Sequence, residues 1–407
     1  MRSLIGLIDS FALRPDEASM GELVQRVVER QPSDEDLAHL AIVTAQSGEK
    51  ILEVRGATSA DIASTGGPSS LSTLLCPLYL TALGYTVPKL GVPGRPAGGV
   101  DVLACIPGYR TVFSAVEAQH LLKHNRYLHC IASDAFVPLD KSLFSFRKRN
   151  NRVDVPALAV ASLLAKKLAA GVTQVGLDVR VAPHGNFGHT FPEAAEHALT
   201  FCRVAALIDR HAVCFLSDAS RPYQPFIGRG EALAALWSLF SGNASEWLRS
   251  HDDTCYAMVR RLHTLAGGNA PGGRPGVDAL CSVFADNLQA QGSSYERFAE
   301  YAESVMACQK YEITSPQDGF VSINLDSIRE TLVRLQDTAA GADARFADPC
   351  GIILARNTGT YARKGELLAT LRSPLACAPE TTRAVVSALA VGDETISDCH
   401  FQEVRCG

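Results

Sequence analysis

The amino-acid sequence predicts an α/β protein with a small helical domain, a large α/β domain with a mostly parallel sheet, and a C-terminal α+β subdomain. Residues 1–48 have helical periodicity and N-cap signals such as Ser33. From about Ile51, apolar runs of strand length alternate with helical segments, and from Tyr311 turn residues separate short strands. Because strands that alternate with helices form a largely parallel sheet, we expect the ligand site at the carboxyl ends of the strands.

Composition and charge indicate which kinds of binding partner the protein is expected to have. The 407-residue chain is 47% hydrophobic and 20% charged, which is typical of a globular protein. Its net charge of -5 and pI of about 6.1 do not favour binding to nucleic acid or to an acidic membrane. No stretch has the length of a membrane span, and the amino terminus lacks a signal-peptide pattern. The 12 cysteines include no CxxC pair, so we expect reduced thiols and a cytoplasmic protein.

The stretch of residues 147–167 (RKRNNRVDVPALAVASLLAKK) contains the chemistry that stands out most. A basic cluster leads to Pro156, which suits the first turn of a helix, and good helix formers follow it. Ser162 and Lys166 are four residues apart and therefore lie on one helix face, whereas Lys167 points about 100° away. We therefore expect Lys167 to matter less than Lys166 for any ligand bound to that face.

Three polar groups in this stretch could surround a planar ligand with carbonyl oxygens and a ring N–H, such as the 2,4-dioxo edge of a pyrimidine. Arg147 offers a rigid fork of donors, Lys166 a movable positive charge, and Ser162 a hydroxyl that donates and accepts. If a base leaves as an anion, the two cations would stabilise the charge that develops in the transition state. From spacing alone, the commoner explanation is an exposed lysine pair on an amphipathic helix beside a solvated basic loop.

Two loops of small residues precede helices in the α/β part. Residues 61–70 (DIASTGGPSS) lead into an apolar helix, and residues 91–99 follow a predicted strand. Such a loop can bind an anion because free N–H groups converge at a helix N-terminus, although most glycine-rich turns are only turns. His120 and His124 are spaced for one helix face, but no carboxylate or cysteine completes a site with them and His129, so we expect no metal.

Several short motifs occur in a distinctive order. DIASTGG at residues 61–67 is followed by a glycine-rich second loop with an IPG turn, and Arg147 precedes the SxxxK helix of Ser162 and Lys166. Further motifs are the DK dipeptide at residues 140–141, LAAG at 168–171 and LDVRV at 177–181. In this combination the chain resembles the pyrimidine nucleoside phosphorylase family, which includes thymidine phosphorylase and the archaeal AMP phosphorylases and whose first loop reads roughly DKHSTGG. The similarity covers nearly the whole chain.

This resemblance implies a fold in which a cleft lies between two domains joined by hinges. The helical domain would comprise residues 1–50 and 140–172, and the α/β domain residues 51–139 and 173–307. Residues 308–407 would form the C-terminal subdomain. Enzymes of this family usually form dimers through the helical domain, so the resemblance also implies a homodimer.

The resemblance further implies a reaction, the reversible phosphorolysis of a thymidine- or uridine-type nucleoside to free base and pentose 1-phosphate. Phosphate would be the co-substrate, with no cofactor. Arg147 and Lys166 would hold the ring oxygens and stabilise the leaving base. Ser162 would bind a polar ring group, and Phe187 would cover one face of the ring. The phosphate-binding residues would be Ser64, Thr65, Thr73 and the neighbouring cation Arg95, which has no family equivalent.

The departures from the family concentrate at the phosphate. Ile62 and Ala63 stand where the family has a lysine and a histidine. Gly91 replaces a serine and Gly99 a threonine. Because a hydrogen bond to a charged group contributes about 1.5–3 kcal/mol, several such losses would weaken phosphate binding by orders of magnitude. Three hypotheses follow: a phosphorylase with an altered phosphate pocket, a related enzyme that uses water or another acceptor, and a non-catalytic pyrimidine-binding protein. The intact base-binding spacing argues against the third, and we favour the first.

Overall fold

The chain alternates helices and strands along most of its length. The computed structural model describes residues 3–51, 56–183, 185, 187–268, 273–339, 346–374, 378–392 and 401–404. The helices are α1 (Leu4–Leu13), α2 (Glu17–Glu29), α3 (Asp34–Ala45), α4 (Ser72–Ala82), α5 (Val100–Leu103), α6 (Ala115–Asn125), α7 (Pro138–Arg149), α8 (Pro156–Ala169), α9 (Phe191–Leu207), α10 (Arg229–Phe240), α11 (Glu246–Leu265), α12 (Val277–Ala290), α13 (Tyr295–Ala307), α14 (Leu325–Ala339) and α15 (Ala378–Ala388). The strands are β1 (Ala60–Ser64), β2 (Val87–Gly91), β3 (Tyr127–Ile131), β4 (Gln174–Val181), β5 (His211–Asp218), β6 (Phe226–Gly228), β7 (Tyr311–Thr314), β8 (Gly319–Ile323), β9 (Gly351–Leu354), β10 (Tyr361–Ala362), β11 (Leu367–Arg372), β12 (Leu389–Gly392) and β13 (Phe401–Val404).

Parallel strands form the centre of the α/β part. β1, β4 and β5 pair in parallel, and β13 adds an antiparallel edge to β5. β2 and β3 form a second parallel pair, and a single bridge between Ser59 and Thr86 connects the segments that precede β1 and β2. Every residue of β4 is buried, which is typical of a strand covered on both faces of its sheet. The predicted α/β class with a mostly parallel sheet is confirmed.

Helices from two separate parts of the chain form the helical side of the molecule. α1, α2 and α3 pack together, α3 packs against α8, and α7 contacts α2 and α3. Ser33 caps α3 in a capping box with Asp36. Their apolar faces belong to one hydrophobic core that continues into β4 and α9. The N-terminal helices therefore bury their apolar surface against α8, as expected for a unit too small to enclose a core of its own.

The opposite side of the sheet is covered by a second set of helices. α4 packs against β1 and α11, and α10 packs against α13 and β6. These helices enclose a second core whose largest buried side chains include Tyr79, Phe284 and Phe298. None of the helices in the described residues is long and apolar enough to cross a membrane.

The C-terminal α+β part contains short strands, and it shares strand pairings with the rest of the chain. One of its sheets has the order β6-β9-β11-β7, so β6 from the middle of the chain supplies an edge. β13 returns to pair with β5 of the main sheet. Buried charges join the two parts: Arg372 Nε donates to Glu231 Oε1 at 2.7 Å, and its Nη2 donates to Glu231 Oε2 at 2.8 Å. The five-segment domain division stays a prediction.

Candidate functional site

A cleft of about 270 Å³ lies where the loops after β1 and β2 face α7 and α8. Both glycine-rich loops border it, as expected for a ligand site at the carboxyl ends of parallel strands. It is lined by every predicted site residue except Phe187, namely Ser64, Thr65, Thr73, Arg95, Arg147, Ser162 and Lys166. The groups predicted to bind base and phosphate thus share one cavity.

Lys166 is held by a buried carboxylate. Its Nζ lies 2.6 Å from Asp140 Oδ2 and donates to Ser162 Oγ at 2.7 Å and to Ser162 O at 2.9 Å. Asp140 lies in the first turn of α7, and both side chains of the pair are buried. The i, i+4 spacing therefore places the ammonium beside the Ser162 hydroxyl as predicted, and Asp140 fixes it there.

Arg147 braces the loop that joins α7 to α8. Its Nε donates to Arg152 O at 3.0 Å, and its Nη2 donates to Val153 O at 2.7 Å. Burial lowers the pKa of Arg147 to about 10, although Asp140 and Asp154 oppose this change, so the guanidinium is charged at neutral pH. Because both lysines of α8 are buried, the alternative of an exposed lysine pair is wrong. The basic loop is solvated at Lys148, Arg149 and Arg152, but Arg147 itself is buried.

Phe187 lies outside the cleft, which corrects the expectation that it covers a face of the base. The ring is fully buried. It packs edge-on against Phe201, with ring centroids 6.4 Å apart, and against His197 at 6.2 Å. Burial of the large apolar surface of a phenylalanine ring is favourable, and in this protein the ring is buried in the core beneath α9.

Asp61, Lys89 and Lys167 form a buried charged cluster, and its two lysines line the cleft. Lys89 Nζ donates to Asp61 Oδ1 at 2.7 Å, and Lys167 Nζ donates to Asp61 Oδ2. Burial alone would raise the pKa of Asp61, but the ammonium groups of Lys167 and Lys89 outweigh it and lower the pKa to about 2. Lys167 lines the cleft as well as Lys166, and its smaller importance for a ligand on the Lys166 face stays a prediction.

Asp178 and Arg180 hold the first glycine-rich loop against β4. Arg180 N donates to Thr65 Oγ1 at 3.0 Å, and Thr65 N donates to Asp178 O at 3.0 Å. Arg180 also donates from Nε to Asp178 Oδ2 at 3.0 Å and from Nη2 to Ser72 Oγ at 2.9 Å. The Thr65 hydroxyl is therefore engaged in forming the loop.

The second loop contacts helix α4 through a threonine and the C-terminal part through an ion pair. Thr73 Oγ1 donates to Gly98 O at 3.2 Å. Arg95 lies at the rim of the cleft and forms an ion pair with Asp337 of α14. Ser64 is the predicted phosphate-binding residue whose hydroxyl has no hydrogen bond within the residues described above. Its hydroxyl is thus available to a ligand. The Thr73 hydroxyl already donates to Gly98 O, whereas the Thr65 hydroxyl accepts from Arg180 N and can still donate.

His129 fills the space beside the two glycines that replace family hydroxyls. A Cβ atom at Gly99 would lie 2.7 Å from His129 Cε1 and 3.0 Å from Nε2, and one at Gly91 would lie 3.4 Å from Nε2. Ala63 lines the cleft, whereas Ile62 is buried in the second core. The His129 ring therefore occupies space that a side chain at Gly99 would need, and it is a polar group in the cleft lining there.

Sequence reasoning missed four ionisable side chains that line the cleft: Lys89, Lys167, Arg180 and His129. Lys89 and Arg180 lie within apolar strands, and a charged residue in a buried strand requires a partner, which was a usable signal. His129 gave no such signal, because buried neutral histidines are ordinary core residues. His120 and His124 do not line the cleft, and no group of three metal-binding side chains occurs in the part of the chain with assigned structure.

Comparison with known proteins tests the resemblance. No family model matches the chain. The pyrimidine-nucleoside phosphorylase of Bacillus subtilis is 26% identical over 348 residues, which cover 83% of this chain and 80% of the relative. The enzyme of the same name from Geobacillus stearothermophilus is 24% identical over 369 residues, covering 87% of this chain and 84% of the relative.

Two solved structures with the same fold are anthranilate phosphoribosyltransferases. The enzyme from Thermus thermophilus has a TM-score of 0.52 at 15% identity and covers 75% of this chain and 94% of that one. The Saccharomyces cerevisiae enzyme, solved with PRPP and Mg, has a TM-score of 0.50 at 15% identity, covering 74% of this chain and 92% of that one. The predicted resemblance is confirmed: the chain is similar to the pyrimidine-nucleoside phosphorylases over more than four-fifths of its length and has the fold of the anthranilate phosphoribosyltransferases.

Proposed function

We propose that this protein cleaves the N-glycosidic bond of a pyrimidine nucleoside with phosphate and releases free base and pentose 1-phosphate. The observation that carries the proposal is the position of Arg147, Ser162 and Lys166 in one cleft with both glycine-rich loops. The sequence similarity to pyrimidine-nucleoside phosphorylases supports it independently. The substrate would be a nucleoside of the thymidine or uridine type, and phosphate would be a co-substrate with no further cofactor.

In the proposed reaction, a phosphate oxygen forms a bond to the anomeric carbon of the sugar while the glycosidic C–N bond breaks. The electron pair of that bond moves to the base nitrogen, and the negative charge spreads to the ring oxygens. Lys166 and Arg147 would stabilise this charge, which is larger in the transition state than in the bound nucleoside. Asp140 would act as a positioning residue, because it fixes the Lys166 ammonium beside Ser162.

Positive charge on the phosphate side comes from residues other than the family's loop lysine and histidine. Lys89 and Lys167 share the single carboxylate of Asp61, so this cluster has one positive charge in excess. The first loop leads into α4, whose N-terminal N–H groups favour an anion. These features support phosphate as the acceptor despite Ile62 and Ala63.

The proposal is tested by incubating the purified protein with uridine or thymidine, with and without phosphate, and measuring free base by chromatography. We expect base release only with phosphate, accompanied by a pentose 1-phosphate. Base release without phosphate would instead indicate water as the acceptor. Binding of uracil without release of base from either nucleoside would favour a binding protein and contradict the proposal.

We also propose that the protein is a cytoplasmic homodimer joined through the helical domain. Cys76, Cys130 and the other described cysteines form no disulfide, which agrees with a reducing compartment. Leu13 is 88% exposed at the end of α1, and Ile5 and Val28 are also exposed on α1 and α2. Exposed apolar side chains of this kind support an interface on the N-terminal helices.

A further inference from the structure

We infer that His129 binds the phosphate co-substrate through Nε2–H and replaces the hydroxyl groups missing at Gly91 and Gly99. This inference rests on the proposed function for the identity of the reaction, but the ligand chemistry it requires is only a phosphate-type oxyanion. Neither the family resemblance nor the comparisons assign a role to this position.

The imidazole is fixed in place from two sides. His129 lies on β3 between β2 and α12, and its side chain is 1% exposed. Its backbone N donates to Gln291 Oε1 at 2.9 Å, and Gln291 Nε2 donates to the backbone O of His129 at 2.9 Å. The ring Nδ1 lies 3.1 Å from the Tyr127 hydroxyl. The opposite edge of the ring faces the cleft.

The Tyr127 contact determines which ring nitrogen carries the proton. The Tyr127 hydroxyl is fully buried, and its hydrogen has no acceptor other than His129 Nδ1 among the described residues. A buried O–H without an acceptor is costly, so the hydroxyl donates to Nδ1 and the proton of the neutral ring lies on Nε2. Nε2 has no hydrogen-bond partner among the described residues. It is therefore a free donor at the ring edge that faces the cleft.

The environment keeps this imidazole neutral. Burial lowers the pKa of His129 well below its ordinary value, and the nearby ammonium groups of Lys89 and Lys167 lower it further, although Asp61 opposes them. His129 would therefore contribute a hydrogen bond, while Lys89 and Lys167 would contribute the charge. A neutral donor next to two cations fits a dianionic ligand without adding a third buried positive charge.

The ring and a side chain at position 99 cannot occupy the cleft together. A Cβ atom at Gly99 would lie 2.7 Å from His129 Cε1 and 3.2 Å from Thr73 Cβ. The Gly91 position is less crowded, with 3.4 Å to His129 Nε2. Loss of side chains at both positions thus makes room for the imidazole, and its donor points into the volume that their hydroxyls would have occupied.

The direct test measures binding of inorganic phosphate by calorimetry, together with the KM values for phosphate and uridine. H129L removes the donor at similar volume, and H129Q restores an N–H near the Nε2 position. We expect H129L to weaken phosphate binding about 10- to 100-fold, the range for loss of a hydrogen bond to a charged group. H129Q should recover most of this loss, and the KM for uridine should change less than about threefold in both. H124L, at an exposed position on α6, is the matched control.

A second pair of variants tests the exclusion of the two side chains. G99S alone should weaken phosphate binding, because the new Cβ collides with the imidazole. H129A with G99S should bind phosphate more tightly than H129A alone, since the serine hydroxyl then has room to act as the donor. A merely structural role for His129 would give no such recovery, and it would weaken uridine and phosphate binding equally.

The outcomes for the inference and for the proposed function are separable. Calorimetric phosphate binding that falls in H129L supports the inference even if no nucleoside is cleaved. Phosphate-dependent cleavage that is unchanged in H129L overturns the inference and leaves the phosphorylase proposal intact. Absence of phosphate binding in the wild-type protein overturns the inference directly.

Discussion

Lys166 and Lys167 are neighbours in the chain, yet their ammonium groups pair with different buried carboxylates. Lys166 pairs with Asp140 on the side of the predicted base, and Lys167 pairs with Asp61 on the side of the first loop. Side chains at adjacent helix positions point about 100° apart, so one turn of α8 supplies a cation to each half of the cleft. A substitution of Lys167 therefore tests the phosphate half and cannot serve as a neutral control for Lys166.

Alanine substitutions of Arg147, Lys166 and Lys167 should distinguish the base half of the cleft from the phosphate half by their kinetic effects. We expect K166A and R147A to lower kcat/KM for uridine about 100-fold or more, because each removes a charge that stabilises the leaving base. K167A should act mainly on the KM for phosphate. The control is K123A, since Lys123 is exposed on α6 and should leave both constants within about twofold. Steady-state kinetics with each substrate varied in turn measure the split, and equal losses in all four variants would contradict the assignment.

Asp61 should make the stability of the protein depend on acid pH. Its pKa is lowered from 3.8 to about 2 in the folded protein, so the folded state favours the carboxylate. This contribution, about 2 kcal/mol, is complete above about pH 4 and is lost as pH falls from about 4 towards 2. D61N should therefore lower the free energy of unfolding at neutral pH and reduce its decrease across that acid range. Urea unfolding at several pH values measures both effects, and an unchanged pH dependence in D61N would contradict them.

At the scale of elements, the second glycine-rich loop is held by a carboxylate from the helix that follows it. Asp101 of α5 accepts hydrogen bonds from Gly94 N at 3.0 Å and Gly98 N at 3.1 Å. Its Oδ2 also accepts from Arg229 Nε at 3.0 Å, and both side chains of this pair are buried. The loop conformation therefore depends on a charge that lies outside the loop, which explains how a run of small residues can form a defined wall of the cleft.

Removal of this carboxylate should disturb the loop more than removal of an exposed one. D101A leaves Arg229 buried without its carboxylate, so we expect a loss of about 3–5 kcal/mol in the free energy of unfolding and a higher KM for phosphate. The matched control is D337A, which breaks the pair with Arg95, whose two side chains are 41% and 56% exposed. Its loss should stay below about 1 kcal/mol. Chemical denaturation of both variants provides the comparison, and similar losses would contradict the assigned role of Asp101.

At the scale of the whole molecule, helices and the spacing of residues within them could be predicted from the sequence. Contacts between residues far apart in the chain could not. The helix predicted after Pro156 extends from Pro156 to Ala169, and the spacing of Ser162 and Lys166 placed both groups correctly in the cleft. The Asp61 cluster combines side chains from β1, β2 and α8, and only the folded chain reveals that they meet. Phe187 was predicted to line the site but is buried in the core. A motif position identifies the residue type, but it does not determine whether the side chain points into the site or into the core.

The proposed dimer depends on exposed apolar side chains of the N-terminal helices. Leu13 on α1 is 88% exposed, and a helix end that presents such a side chain to water gains free energy if a second copy covers it. We expect L13D to shift the protein from dimer to monomer in size-exclusion chromatography with light scattering, while the thermal unfolding of a single chain changes little at an exposed site. V116D is the matched control, because Val116 on α6 is 78% exposed but lies outside the N-terminal helices. A wild-type protein that is monomeric would rule out the proposed dimer. A dimer that V116D disrupts and L13D does not would place the interface outside the N-terminal helices.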